Sequence, residues 1–227
     1  ESVRKDHRLS ARVNPCATPT ARARHSVVTN IPAARSIFGK ELRSLFKASP
    51  GYKFVGYDAS ALELRIFASY LNNEEYTQQV TTGDVHSHNQ KAAGLPTRDS
   101  AKTFFYGLIF GAGDAKVGLL IGGSSKDGKA MKQKFMDSIP GLQDFIEGVK
   151  AQSSKGYLIG LDGRKIWMRR NEDGEVATNK ALNTLIQSGG AIAMKYAMVW
   201  LESEIKRLGL RAYPVIWMHD EQQYECH

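Results

Sequence analysis

The chain has 227 residues, with 31 Lys and Arg against 23 Asp and Glu, a formal net charge of +8, and 42% hydrophobic residues. That composition excludes a disordered tail, and no apolar run reaches the roughly 18 residues of a transmembrane helix, which excludes a membrane-spanning role. Two cysteines, Cys16 and Cys226, cannot build a disulfide framework and point to a reducing compartment.

The charge is unevenly spread, because residues 1 to 60 hold 11 basic and 4 acidic side chains. The chain opens on Glu1 without a secretory signal and closes in a strand-like run, Val215 to His227, so a piece of a longer chain is expected. The first 50 residues read as irregular and basic, punctuated by Pro15, Pro19, Pro32 and Pro50, with a helical pattern only over Gly39 to Lys47. A strand is predicted at Tyr52 to Tyr57, ended by Asp58. Ser60 then opens a helix, with Glu63 completing a capping box and Leu62, Ile66, Phe67, Tyr70 and Leu71 forming its apolar stripe.

Thr97 caps a second helix, running from Arg98 to about Gly111. Further helices are predicted from about Lys129 to Asp137 and from about Leu142 to Gln152, separated by Pro140-Gly141. Tyr157 to Leu161 and Lys165 to Met168 flank Asp162-Gly163, a hairpin signal. One long helix spans Lys180 to Leu208, ended by Gly209 and turning Leu182, Leu185, Ile186, Ile192, Ala193, Tyr196 and Leu201 toward a core. The last segment, Val215 to Cys226, reads as two strands meeting around His219-Asp220-Glu221. Strands separated by long helical stretches predict a mixed α+β architecture.

Asp58 ends an apolar strand and Asp220 lies at the turn of an apolar hairpin, so both are acids on rigid elements where burial is expected. An unpartnered carboxylate there is costly. A salt bridge is the ordinary solution, but a basic protein with two strand-end acids also suits Mg²⁺, which takes one or two carboxylates plus phosphate oxygens. Arg98, Lys102, Tyr106 and Phe110 recur every fourth residue, and the first three share one helix face. Two cations followed by a ring suit a polyphosphate and then a base or sugar. Gly107 and Gly111 on that helix signal close approach by a ligand or neighbouring backbone. Asn183 and Gln187, four apart on the long helix, are either surface amides or readers of groove acceptors. His86 and His88 lack the partners a zinc site needs.

Together these residues resemble a known family. Tyr57-Asp58-Ala59-Ser60-Ala61-Leu62-Glu63-Leu64-Arg65 resembles the first signature of family A DNA polymerases, the bacterial DNA polymerase I type. Thr97 to Gly107, through Phe110-Gly111, resembles the second, and His219-Asp220-Glu221 the third. Asn30-Ile31-Pro32, Asp84-Val85-His86, Leu161-Asp162-Gly163-Arg164 and Leu182 to Gln187 match as well, in the family's order, and the wording around Arg98 to Gly118 looks closest to replicative polymerases of podophages.

The resemblance implies a polymerase palm, an antiparallel sheet with helices, plus mostly helical fingers, in a right-hand architecture lacking thumb and exonuclease domain. Residues 1–70 would carry the basic segment and first part of the palm, 71–155 the fingers and 156–227 the remainder of the palm. Asp58 and Asp220 resemble the metal-binding aspartates, with the Ala59 carbonyl a further ligand and Glu221 a nearby carboxylate. Two Mg²⁺ ions, or Mn²⁺ in their place, are implied. Arg98, His86 and Lys102 resemble triphosphate binders, Lys102 also donating a proton to pyrophosphate. Tyr106 takes the ring position beside the incoming sugar, and Phe110 stands where many members have Tyr. Glu63 resembles the residue that excludes a ribose 2′-hydroxyl. Arg22, Asn183, Gln187 and His219 resemble contacts to primer and template, although Ala21 stands where a Gly usually precedes Arg22.

The implied partners are a DNA primer-template, a dNTP, a second polypeptide supplying thumb, exonuclease and C-terminal palm elements, and a processivity factor, in the cytoplasm of an infected host. A single-subunit phage RNA polymerase and a noncatalytic DNA-binding fragment are the competing readings.

Overall fold

The computed structural model describes residues 3–227, with every side chain in that span but those of Thr29, Val85 and Ala92; Glu1, where the chain opens, lies outside the described residues. Strands β1 (Val13–Asn14) and β2 (Arg24–His25) are followed by helix α1 (Gly39–Ser44) and strand β3 (Lys53–Asp58). Seven helices come next: α2 (Leu62–Leu71), α3 (Glu74–Thr82), α4 (Val85–Ala93), α5 (Arg98–Ile109), α6 (Asp114–Leu120), α7 (Ser125–Ser138) and α8 (Leu142–Ser153). The hairpin β4 (Tyr157–Ile159) and β5 (Lys165–Trp167), the long helix α9 (Ala181–Arg207) and the pair β6 (Ala212–Met218) and β7 (Glu221–Cys226) complete the chain. The fold is the mixed α+β architecture expected from the sequence. It divides into two compact units, one of residues 1–60 with 190–227 and one of residues 61–189.

In the first unit β7 is the central strand of an antiparallel sheet of order β3-β7-β6. Its register sets Asp58 opposite Glu221 and Tyr57 opposite Gln222 on one side, and Met218 opposite Glu221 on the other. Pro214 has no amide hydrogen to give a ladder, which is tolerated because β6 is an edge strand with a bulge between Pro214 and Ile216. The buried Glu225 carboxylate accepts from the Ser49 amide, and Arg8 pairs with it at 3.4 Å and with the Ser49 hydroxyl at 2.6 Å. These bonds tie Arg8 and Ser49 of the basic first quarter to the sheet and compensate burial of that acid. Tyr196 was expected in the core, yet it is 67% exposed and lies on an outer ridge of α9 with Val199 and Trp200.

The second unit is built on aromatic packing. Phe67 of α2 meets Phe105, Tyr76 and Phe145 edge-on at 5.3, 5.7 and 5.9 Å, and Phe104 meets Phe135 at 5.3 Å. Fully buried phenylalanines of this kind cost about 3–5 kcal/mol each when cut to Ala. The β4–β5 hairpin belongs here too: Leu158, Ile166 and Met168 pack with Val149, Ala181 and Leu185. Gly163, with φ +80°, supplies the left-handed residue of its turn.

Local signals account for most helix boundaries. Thr97 accepts from the Ser100 amide in a reciprocal box, and Ser124 and Asp127 form a second such box, which moves the start of α7 ahead of the expected Lys129. Helices α3, α4 and α6 were not anticipated, although Asn73 and Asp84 are sound caps, accepting from the Tyr76 amide and from the His86 and Ser87 amides. The expected start at Ser60 is corrected: α2 starts at Leu62, and the residue in its N-cap position is Ala61, in the left-handed region, whose side chain offers no cap hydrogen bond. The signature's tight strand-to-helix turn takes precedence over the capping pattern there.

Candidate functional site

In the first unit, the antiparallel register draws together three acids that lie far apart in sequence. Asp58 is the last residue of β3 and faces Glu221, the first of β7, while the Ala59 amide donates to the Asp220 carbonyl at 3.1 Å. The two strand ends are thus locked by backbone bonds, and their acids share one rim of the sheet. Asp58 is exposed and Asp220 half-buried, which corrects the expectation of buried acids. Even so, partial burial and then the negative charges of Asp220 and Glu221 raise the Asp58 pKa above its ordinary value. A rim where neighbouring negative charges disfavour ionisation of Asp58 is a place for a cation. Among the described residues no three His, Cys, Asp or Glu side chains converge on one point. An ion here would therefore complete its shell from backbone and substrate oxygens, the donor set that suits Mg²⁺.

His219 precedes Asp220 in a two-residue connection between β6 and β7, with φ +58°, the positive angle that tight hairpin turns require. Its carbonyl accepts from Trp217 Nε1 at 3.2 Å, and its ring meets His25 edge-on at 5.0 Å. Burial, and then His219, lower the His25 pKa. The sequence reading did not single out His25; nothing in its local pattern marks a contact with a residue almost 200 positions later. Arg22, in the same unit, is half-buried and follows Ala21, whose φ is +59°. The left-handed backbone explains why a Gly is usual at that place in the resembling family, and the chain keeps the conformation with an alanine.

The second unit carries the cationic face. Arg98 and Lys102 are exposed on α5, while Ala101, Phe104, Phe105, Leu108 and Ile109 bury the opposite side. Tyr106 and Phe110 stack at 6.1 Å with their planes 21° apart, and Phe110, just past the last turn, is 48% exposed. His86 is buried, and its Nδ1 makes no hydrogen bond among the described residues. Burial, then Arg98 and Lys102, lower its pKa, so the three expected triphosphate contacts lie within electrostatic reach of one another. Asp84, quoted in a motif but given no role, holds this cluster: its Oδ2 accepts from Arg98 Nε at 2.8 Å and from Ser87 Oγ at 2.8 Å.

Gly111, with φ +73°, has the Asn179 carbonyl 2.4 Å from where a Cβ would stand, so the expected close approach is made there by backbone; at Gly107 the same test finds only ordinary contacts at 3.6 Å. Glu63 is half-buried in the first turn of α2. Asn183 and Gln187 are half-buried on the early part of α9, and the buried Asn183 side-chain oxygen has no hydrogen-bond partner among the described residues.

The DNA polymerase family A model matches residues 1–227. The chain is 38% identical to the DNA-directed DNA polymerase of Escherichia phage Phieco32, over 97% of this chain and 49% of that protein. It is 36% identical to the DNA-directed DNA polymerase of Escherichia phage T7, over 99% of this chain and 36% of that protein. Among solved structures it is similar to the POL domain of Pol1 from M. smegmatis in complex with DNA primer-template and dNTP, with a TM-score of 0.89, 28% identity, and coverage of 99% of this chain and 43% of that one. The chain therefore spans half or less of the length of these relatives.

Proposed function

Because the chain belongs to DNA polymerase family A, we propose that it carries the nucleotidyl-transfer residues of a template-directed DNA polymerase, which extends a primer 3′-hydroxyl with a dNTP and releases pyrophosphate. The observation that carries this reading is the locked pair of strand ends that sets Asp58 beside Asp220 and Glu221 on one rim. Asp58, Asp220 and the Ala59 carbonyl would hold two Mg²⁺ ions, or Mn²⁺, with Glu221 the nearby carboxylate. Metal bound there would lower the pKa of the attacking hydroxyl and offset charge on the phosphate oxygens.

The remaining roles belong to the chain's own side chains. Arg98 offers a planar fork to phosphate oxygens, and Lys102 offers a compact charge and a proton for the departing pyrophosphate. His86, whose pKa is lowered by burial and then by Arg98 and Lys102, would gain proton affinity when an anion offsets those two charges. Tyr106 is the ring beside the sugar, stacked on Phe110, and Glu63 excludes a 2′-hydroxyl. Arg22 and His219 in one unit, and Asn183 and Gln187 in the other, contact primer and template. The basic first quarter adds a salt-dependent grip on the DNA backbone. In domain terms, the β3-β7-β6 sheet is the palm and α5 belongs to the fingers. DNA primer-template and dNTP are the proposed partners, as in the complex of the M. smegmatis domain; a second polypeptide bringing further elements and a processivity factor are proposed with them.

Primer extension with Mg²⁺ tests this. Asp58→Asn and Asp220→Asn should each abolish incorporation while DNA binding persists, and extension at the wild-type rate by either variant sinks the assignment. Preference for dNTP over rNTP separates this reading from an RNA polymerase.

A further inference from the structure

Asp84 is not among the proposed nucleotide contacts, yet its carboxylate accepts from donors on both α4 and α5. One oxygen, Oδ1, accepts from the His86 amide at 3.2 Å and the Ser87 amide at 3.5 Å, capping α4. The other, Oδ2, accepts from Ser87 Oγ and from Arg98 Nε, each at 2.8 Å, and so reaches across to the first turn of α5. We propose that Asp84 is a positioning residue for triphosphate recognition, which fixes the Arg98 guanidinium by its Nε edge and sets His86 beside it. The proposal rests on the reading of Arg98, Lys102 and His86 as triphosphate contacts.

The chemistry follows from the shape of the fork. A guanidinium held at Nε has its plane and direction set, while the two Nη groups project beyond the point of attachment. Held this way, Arg98 loses less side-chain freedom when a phosphate arrives, which favours binding without a new contact to the ligand. The same carboxylate begins α4 one residue before Val85, so the helix that carries His86 and the helix that carries Arg98 and Lys102 share one anchor. The hydrogen bond from Arg98 also holds the Asp84 carboxyl far below the usual carboxylate range, so the anchor is charged at neutral pH.

The test separates capping from positioning. Asp84→Ser and Asp84→Asn each keep an N-cap acceptor and neither offers one to Nε: serine is too short to reach Arg98, and asparagine, whose single amide oxygen serves the cap, turns an NH2 donor toward it. Binding of magnesium tripolyphosphate to the 227-residue chain is measured by calorimetry, with thermal melting alongside. Asp84→Ser should weaken binding about three- to fivefold with an unchanged melting temperature. Asp84→Asn should weaken it to a similar extent, and neither substitution should have a further effect once Arg98→Ala is present. Equal affinity for wild type and Asp84→Ser, an undiminished loss in the Arg98→Ala background, or no binding by the wild type overturns the proposal. Should Asp84→Ser behave as expected while Asp58→Asn still extends a primer, the polymerase reading alone fails.

Discussion

Asp58 and Glu221 stand opposite each other at the ends of two antiparallel strands, with Asp220 joined to the next residue, Ala59, by a backbone bond of 3.1 Å. Neither strand end can shift without breaking the ladder, so the negative charges of this rim are held in place before any cation arrives.

The first prediction follows from that enforced repulsion. The Asp58 pKa is raised in the folded state, so folding favours its protonated form; this contribution is fully present below the ordinary value of 3.8 and is lost as pH rises through the folded value. At neutral pH Asp58→Asn should therefore raise the melting temperature, and the gain should vanish in melts run below about pH 4. Mg²⁺ should raise the melting temperature of the wild type more than that of the variant. A variant that melts lower than wild type at pH 7 would contradict the electrostatic account.

Ala21 offers a second test. At φ +59° it occupies a backbone region where a Cβ is unfavourable. Ala21→Gly should stabilise the chain by about 0.5–1 kcal/mol, read as a higher denaturation midpoint at constant slope. An unchanged or lower midpoint would mean that the conformation is not strained by its side chain.

A third test probes packing between α6 and α7. A Cβ at Gly118 would stand 2.0 Å from the Ser124 carbonyl oxygen, while one at Gly113 would meet nothing within 4 Å. Gly118→Ala should cost about 1–3 kcal/mol, whereas Gly113→Ala, at φ −66°, should leave the melt in place. Equal melts for the two variants would refute the close approach.

Sugar choice supplies the fourth. With Glu63 in the first turn of α2, Glu63→Ala should lower the preference for dNTP over rNTP by about tenfold or more in kcat/KM, chiefly through better use of rNTP. If discrimination is unchanged, Glu63 acts only within its helix.

How much of this was legible beforehand depended on the range of the interaction. The boundaries of α5, α8 and α9, and both strands around His219 and Asp220, follow from caps, periodicity and turn residues that act within a few positions. The same rules would have found α3 and α4 through Asn73 and Asp84. They misplaced the start of α2, because a left-handed Ala61 set by the strand-to-helix turn overrides the pattern at Ser60. The roles proposed for Asp58, Arg98, Lys102 and Asp220 were readable only as an ordered set of motifs.

What the sequence determined by itself, then, is the order of its elements and the residue types available for chemistry, since both depend on local backbone preference and side-chain identity. Tertiary structure alone decided which of those residues meet. It paired β3 with β7 so that acids more than 160 positions apart share a rim, set His25 against His219, gave Asp84 to Arg98, and left Tyr196 outside the core. Such contacts depend on long-range pairing and packing, whose loop-closure cost is repaid only when the whole unit assembles, and no local pattern records them.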